Sequence, residues 1–482
     1  MTRLSSALLA LGFFAAFTPA YAAESEGDKA VALVKKLVQF DTTNAPGDTT
    51  QVALYLKSLF DPLGVPSEII VAPNGKAAHF IARLKGDGSA RPVLVAAHTD
   101  VVPAQREKWT VDPFAGIEKD GFIYGRGTLD NKGSTAVFAL AVMRLARQKV
   151  PLKRDIIFLA EADEEQGRYN TVWLAQEHWD KIDAEFTLNE GGQTLLDAKG
   201  KVGQINITVA DKVTLSLKIK TTGPAGHSSR PLPLMTTANG QLVDALGKLA
   251  TFETPVMLIP QTEQYLRALA RHNPGALADS INKLLTVTTD QERLAAARAA
   301  LAADPEQAPG LEGVLRNTLV LTMLNSGMKP NVIPGDAEAT LNARLLPGAS
   351  ADKFIDDIRK TIANPAARIE IINAVPKGEA IDFIRKRTAI APSNTETALF
   401  DAIKRNATRM WPKSDVVPAL LVASTDATPW RERGVPVYGI SPFPSDLETY
   451  SRIHGHDERV KADSVRQGAE FIYGILRDIA AK

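Results

Sequence analysis

The chain has 482 residues, 45% of them apolar and 23% charged, with 56 basic against 55 acidic side chains and a net charge of +1. That length exceeds one ordinary core and predicts two globular, water-soluble domains, while the balanced charge, with no basic stripe interleaved with aromatics, argues against nucleic acid as a partner. The absence of cysteine excludes disulfides, thiolate metal sites and a cysteine nucleophile, so any zinc must be held by histidine and carboxylate.

Residues 1–22 read as a signal peptide. Arg3 is the positive region, Leu8 to Phe17 the apolar stretch, and Ala20-Tyr21-Ala22 puts small residues where a signal peptidase needs them, so cleavage is predicted after Ala22. The apolar stretch is too short to span a bilayer and no later segment reaches that length. The mature chain is expected to be exported, periplasmic or secreted, without a membrane span.

Helices are predicted at 24–41, where Val31, Leu33, Val34, Leu37 and Val38 recur at helical spacing, and at 49–63. Strand-like runs follow at 67–71 and 79–84. The runs at 93–97 and 156–160 are apolar on all sides, as inner strands covered on both faces are, and a strong helix lies between them at 134–148. Residues 24–212 therefore read as α/β. From Val213 the pattern changes to strands with one wet face, at 213–220 and 337–345, with helices at 236–250 and 351–362 and a strand at 368–372. Strand–helix–strand–strand–helix–strand is the split βαβ, ferredoxin-like arrangement. An Ala-, Leu-, Arg- and Glu-rich segment at about 255–316 interrupts it and is expected to form a helical cap over the cleft. After about 380 the first style returns, with a helix at 396–410 and a buried strand at 435–440. The predicted fold is a mixed-sheet α/β domain (24–212 and 381–482) into which an α+β domain (213–380) is inserted.

In open α/β sheets, ligands sit beyond the carboxyl ends of strands, and His98, Glu164, Glu165 and Glu190 fall at such ends. His98 and Asp100 are two apart on an emerging strand and share a direction, so His98 can ligate a metal while Asp100 fixes the other ring nitrogen. Asp130, between Gly127 and Gly133 before a helix, is placed either as an N-cap or as a carboxylate bridging two ions. Glu164 and Glu165 point in different directions, so one can ligate while its neighbour acts as general base. Glu190 can be a terminal ligand. His454 and His456 compete for one further position. His227, in GPAGHSSRP (223–231), can donate to a substrate oxygen. His79, His178 and His272 are assigned to structure or surface, and Asp163 to a solvated turn.

Taken in order, AAHTDVVPA, DPFAGIEKDGFIYGRGTLDNKG, ADEEQG, NEGG, GPAGHSSRP, NVIPG and IHGHDE resemble the dinuclear-zinc aminoacylase/carboxypeptidase family, over nearly all of the mature chain. GFIYGRGTLDNKG and the long insert look most like the carboxypeptidase S and N-acyl-amino-acid hydrolase branch. The resemblance implies that His98 and Glu190 hold one zinc, Glu165 and His454 the other, and that Asp130 bridges them with a cis peptide to Asn131. It makes Glu164 the general base and Asp100 the group orienting His98. It prefers His454 because the family ligand precedes a glutamate, here Glu458, by four residues. It further implies a dimer interface on the small domain, with His227 reaching the partner's active site, and substrate contacts from Asn331 and Arg344, the arginine through a carboxylate. Cobalt or manganese suits such ligands as well as zinc. The stretch ASTDATPW (423–430) departs from the family's glycine-rich pattern at Ala423, Ser424 and Pro429, which bears on specificity.

The reading is a metal-dependent hydrolase acting on an amide next to a free carboxylate, as carboxypeptidase or dipeptidase, or as an N-acyl-amino-acid amidohydrolase. The rival from another class is a non-catalytic exported binding protein using the interdomain cleft.

Overall fold

A computed structural model describes residues 24–197, 199–373 and 378–482; the predicted signal peptide lies outside the described residues. The apolar runs become neighbouring parallel strands, Val93–His98 beside Ile156–Glu161 on one side and Phe186–Asn189 on the other. Their register matters for the site: Val93 is level with Ile156 and His98 with Glu161, so their carboxyl ends finish at one rim. Side chains alternate across this sheet. Val93, Val95 and Ala97 enter the core formed with the helices Glu26–Val38, Lys132–Arg147 and Ala462–Ala480. Leu94 and Ala96 enter a second core with Leu174, Ile182 and Trp430 on the opposite face. Antiparallel strands Ser67–Val71 and Ala78–Leu84 close one side of the sheet. Towards the other side, Val437–Gly439 and Asp415–Leu421 return from the far end of the chain to pair beside Phe186–Asn189 and Val202–Asp211.

The change of style falls at Lys212. Val202–Asp211 belongs to the large sheet, and Val213–Thr222 belongs to a separate four-stranded antiparallel sheet with Asp336–Leu345, Arg368–Ile371 and Thr318–Ser326. In Val213–Thr222, Leu215, Leu217 and Ile219 are buried under the helices Ala238–Leu249 and Ala351–Ile362. Thr318–Ser326 is the strand that the sequence pattern implied without locating. It forms the sheet edge and keeps an exposed apolar run, so it lacks the alternation by which strands are recognised.

The insert is helical, with helices Pro260–His272, Ala276–Leu284, Asp290–Ala303 and Ala308–Leu315. Leu266, Leu269, Ile281, Ala300 and Leu315 join the small domain's core. Arg271 and His272 both reach Asp415 of the large sheet, at 2.9 and 3.0 Å. Among the described residues, no helix is long and apolar enough to cross a membrane.

Candidate active site

The shared rim gathers the acidic and histidine segments. His98 ends its strand, the turn after Ile156–Glu161 carries Glu164 and Glu165, and Glu190 follows Phe186–Asn189. Asp130 lies just ahead of the helix Lys132–Arg147, and its peptide to Asn131 is cis. Its two oxygens face different imidazoles: His98 Nε2 lies 2.8 Å from Asp130 Oδ1, and His454 Nε2 lies 3.0 Å from Asp130 Oδ2. His98 Nε2 is also 3.2 Å from Glu190 Oε2, and His454 Nε2 is 3.0 Å from Glu165 Oε1. One carboxylate thus stands between two histidines, each with a further glutamate. Donor atoms of His98, Asp130 and Glu165, and of His98, Glu164 and Glu190, form two groups lying within 4.8 Å.

Burial works against a charged His98, but Glu190 and Asp130 outweigh it and hold its pKa well above the ordinary imidazole value. Hydrogen bonds with Asp130 and Glu165 lift His454 to about 10. Burial pushes Glu190 up to about 7 despite His98. Glu164 is driven well above the usual carboxylate range, first by burial and then by Glu190. Half-hidden carboxylates packed this closely stay together by holding protons or by having positive charge placed between them. Imidazole nitrogen and carboxylate oxygen are also the donors zinc and its neighbours take, and the residues present fit a pair of divalent cations.

Around these donors sits a buried frame. Arg126 and Glu458, both fully buried, form an ion pair at 2.5 Å. Glu458 Oε1 accepts from the backbone N–H groups of Gly127, Leu129 and Asp130 at 3.1, 2.9 and 3.2 Å. Arg126 Nη2 donates to the carbonyls of His454 and Gly455 at 3.1 and 3.0 Å. The pair therefore ties the Asp130 loop to the His454 loop, where His454 holds a left-handed φ of 62° that a non-glycine residue adopts only when its surroundings impose it.

Asp100 departs from the expected contact. His98 Nδ1 bonds the backbone carbonyl of Asp100 at 2.9 Å, whereas the carboxylate is 3.6 Å away. That carboxylate accepts instead from the backbone N–H groups of Glu164 and Glu165, both at 3.1 Å, and from Asn44. It fixes the glutamate turn as well as the histidine. Asp163 is not solvated: it is buried and accepts from the Tyr169 N–H at 2.6 Å. Of the two competing histidines, His454 is the one at the carboxylates.

Below the donors, Glu161 and Asp426 are buried together. Burial and then Asp426 keep the Glu161 carboxyl well above its usual range, and Asn189 bonds Asp426. Sequence reasoning missed Arg126 and this pair. Only the neighbouring GRG and TDA words hinted at them, and a buried charge pair has no periodic signal.

A cleft of about 710 Å³ opens on the donors and runs between the domains. Asp130, Glu164, Glu165, Glu190 and His454 line one part. Arg344, Ala423, Ser424 and the insert's Tyr265, Gly310 and Val314 line the rest. The insert therefore reaches the cleft, and so does the atypical 423–425 loop. Arg344 Nη1 is 3.3 Å from Ser424 Oγ, and no carboxylate lies within ion-pair distance of it among the described residues. His227 and Asn331 are not part of this cleft. His227 lines a separate shallow depression with Pro224 and Arg230, and the Asn331 carbonyl accepts from Ser228 N at 3.0 Å.

The sequence pattern of peptidase family M20/M25/M40 matches residues 94–478. The chain belongs to that family. Membership makes it an enzyme of the metallopeptidase and amidohydrolase class, which sets aside the non-catalytic binding protein. Among M20-family relatives, it is 28% identical over 401 residues to "Probable carboxypeptidase S-like 2" of Dictyostelium discoideum, covering 81% of this chain and 72% of that one. It is 27% identical over 414 residues to the mouse (Mus musculus) "N-fatty-acyl-amino acid synthase/hydrolase PM20D1", covering 84% and 77%. The M20 metallo-carboxypeptidase Sso-CP2 from Sulfolobus solfataricus superposes with a TM-score of 0.67 at 18% identity, over 94% of this chain and 99% of that one. Human carnosine dipeptidase 1 superposes with a TM-score of 0.61 at 16% identity, over 94% and 96%. These structural likenesses show the M20 fold.

Proposed function

We propose that this exported M20 enzyme hydrolyses an amide bond beside a free carboxylate, with two divalent cations held by His98, Glu190, Glu165 and His454 and bridged by Asp130. The observation that carries this reading is Asp130 facing His98 with one oxygen and His454 with the other, at 2.8 and 3.0 Å. When bound, zinc, cobalt or manganese supplies Lewis acidity that lowers the pKa of a water and polarises a carbonyl. Glu164, kept basic by burial and by Glu190, accepts the attacking water's proton and passes it to the departing amine. Asp100 holds the Glu164 turn through its backbone. Arg344, half-buried and without an acidic partner among the described residues, takes the substrate's carboxylate by a charge-assisted pair.

The substrate is a short peptide or an N-acyl amino acid, the two classes that the printed names of the relatives suggest. The test is elemental analysis of the purified protein alongside hydrolysis of dipeptides and N-acyl amino acids. Two divalent ions per chain and cleavage of at least one class are expected. Asp130→Ala should lose both ions, and a single ion retained at full occupancy would remove the bridge.

The reading includes a homodimer. Val320, Met323 and Leu324 stay exposed along the edge strand Thr318–Ser326, the kind of unpaired apolar edge that proteins otherwise blunt. In such a dimer, the family resemblance gives His227 the role of reaching the partner's cleft. Light scattering should give twice the chain mass, and the chain mass alone for Met323→Lys; a monomeric unsubstituted protein would end this part of the reading.

A further inference from the structure

We propose that the helical insert selects an apolar side chain on the amino acid whose carboxylate Arg344 holds, with Gly310 setting how large that side chain can be. This deepens the hydrolase reading above and rests on it. The last insert helix, Ala308–Leu315, is clamped next to Arg344. Lys212, in the crossing between domains, donates to the carbonyls of Gly313 and Arg316 at 2.8 and 2.7 Å, tying down the helix's C-terminal end. The Lys212 carbonyl accepts from Ser424 Oγ at 3.0 Å, and the same Oγ is 3.3 Å from Arg344 Nη1. Helix and strand end meet without slack, since a Cβ on Gly313 would lie 2.7 Å from Val422 Cγ1.

A carboxylate and the side chain of its amino acid leave the same carbon. A carboxylate on Arg344 therefore directs its side chain into the neighbouring surface. There the cleft is lined by Val314, Leu420, Val422 and Tyr265. Among the described residues, the acidic residues lining the cleft all belong to the donor cluster, and Glu312 of the insert helix is paired with Arg316, so no acidic residue lining this part of the cleft compensates a basic side chain. Gly310 lies four residues before Val314 and on the same helix face. A Cβ there would meet nothing within 4 Å. Gly310 sits in the first turn of its helix, and no close packing among the described residues requires a glycine there. What glycine provides is room in the cleft, whose 710 Å³ falls within the roughly 300–1,000 Å³ of small-molecule sites.

The test is calorimetric binding to the Glu164→Gln protein with zinc present, so that affinity is read without turnover. N-acetyl-phenylalanine should bind about tenfold or more tightly than N-acetyl-glycine, within the range that apolar pockets discriminate. Gly310→Leu, which favours the helix, should abolish that preference. Equal or undetectable binding of the two, or a preference that survives Gly310→Leu, overturns the proposal. So does a preference for N-dodecanoyl-glycine that Gly310→Leu removes, which would give this wall to the acyl side. Cleavage by the protein with Glu164 intact is scored separately: its absence overturns the hydrolase reading, whereas loss of the phenylalanine preference overturns only the role of the insert.

Discussion

Glu164→Gln is expected to retain both divalent ions and to lose about a hundred- to ten-thousandfold in kcat, the range for removing one general base. Glutamine keeps the shape of the side chain, and the backbone N–H at 164 still donates to Asp100 at 3.1 Å, so the turn should stay in place. What disappears is the proton acceptor. Its basicity comes from the site: burial first, with Glu190 second, holds the Glu164 carboxyl far above its usual range. Adjacent Glu165 faces His454 at 3.0 Å, so Glu165→Gln should act differently, lowering metal content along with rate. Metal analysis and steady-state kinetics on the same samples separate the two. Normal turnover by Glu164→Gln, or metal loss equal in both variants, would reverse the assignment.

Arg126→Met is expected to have the second-largest effect, although Arg126 belongs to neither donor group. It removes one partner of a buried ion pair and strands Glu458, which still accepts from three backbone N–H groups of the Asp130 loop. Breaking such a pair on one side costs about 3–5 kcal/mol. Because Arg126 also grips the carbonyls of His454 and Gly455, the two halves of the donor set lose their tether. Groups that orient ligands are worth about 10–100-fold in metal affinity. Arg126→Met should therefore show a lowered denaturation midpoint and weaker zinc retention against a chelator, and Arg126→Lys should recover only part of each, because one ammonium cannot span Glu458 and two carbonyls. Zinc retention unchanged in Arg126→Met would reduce the pair to a folding role.

Most of the candidate donors were legible because they lie where an apolar run ends, and the run is what the hydrophobic period reports; Asp130, after GRGTL, and His454 are the exceptions. His98 after VLVAA, Glu164 and Glu165 after IIFLA and Glu190 after FTLN are examples. His454 follows no such run. It was placed by its distance to Glu458, and the structure gives that spacing its reason: Glu458 and Arg126 together fix the loop that presents it. The edge strand Thr318–Ser326 escaped notice for the opposite reason, since a strand without a buried face has no alternation to read. Asp163 was misjudged because three successive acidic residues look like a wet turn, and only the packing of Tyr169 against it shows otherwise.

Local pattern determined the α/β class, the inserted α+β unit, the helical insert and the candidate nitrogen and oxygen donors, because burial periodicity and residue chemistry are properties of a few neighbouring positions; which candidates act together came from the family resemblance. Only the tertiary structure decided that Asp130 divides its two oxygens between His98 and His454, that Asp100 serves the glutamate turn, that His227 and Asn331 stand outside this chain's cleft, and that Gly310 opens into it. Each of these depends on which strand ends share a rim and which helix closes beside Arg344. Such distances are set by the packing of whole domains, and no single stretch of residues carries them.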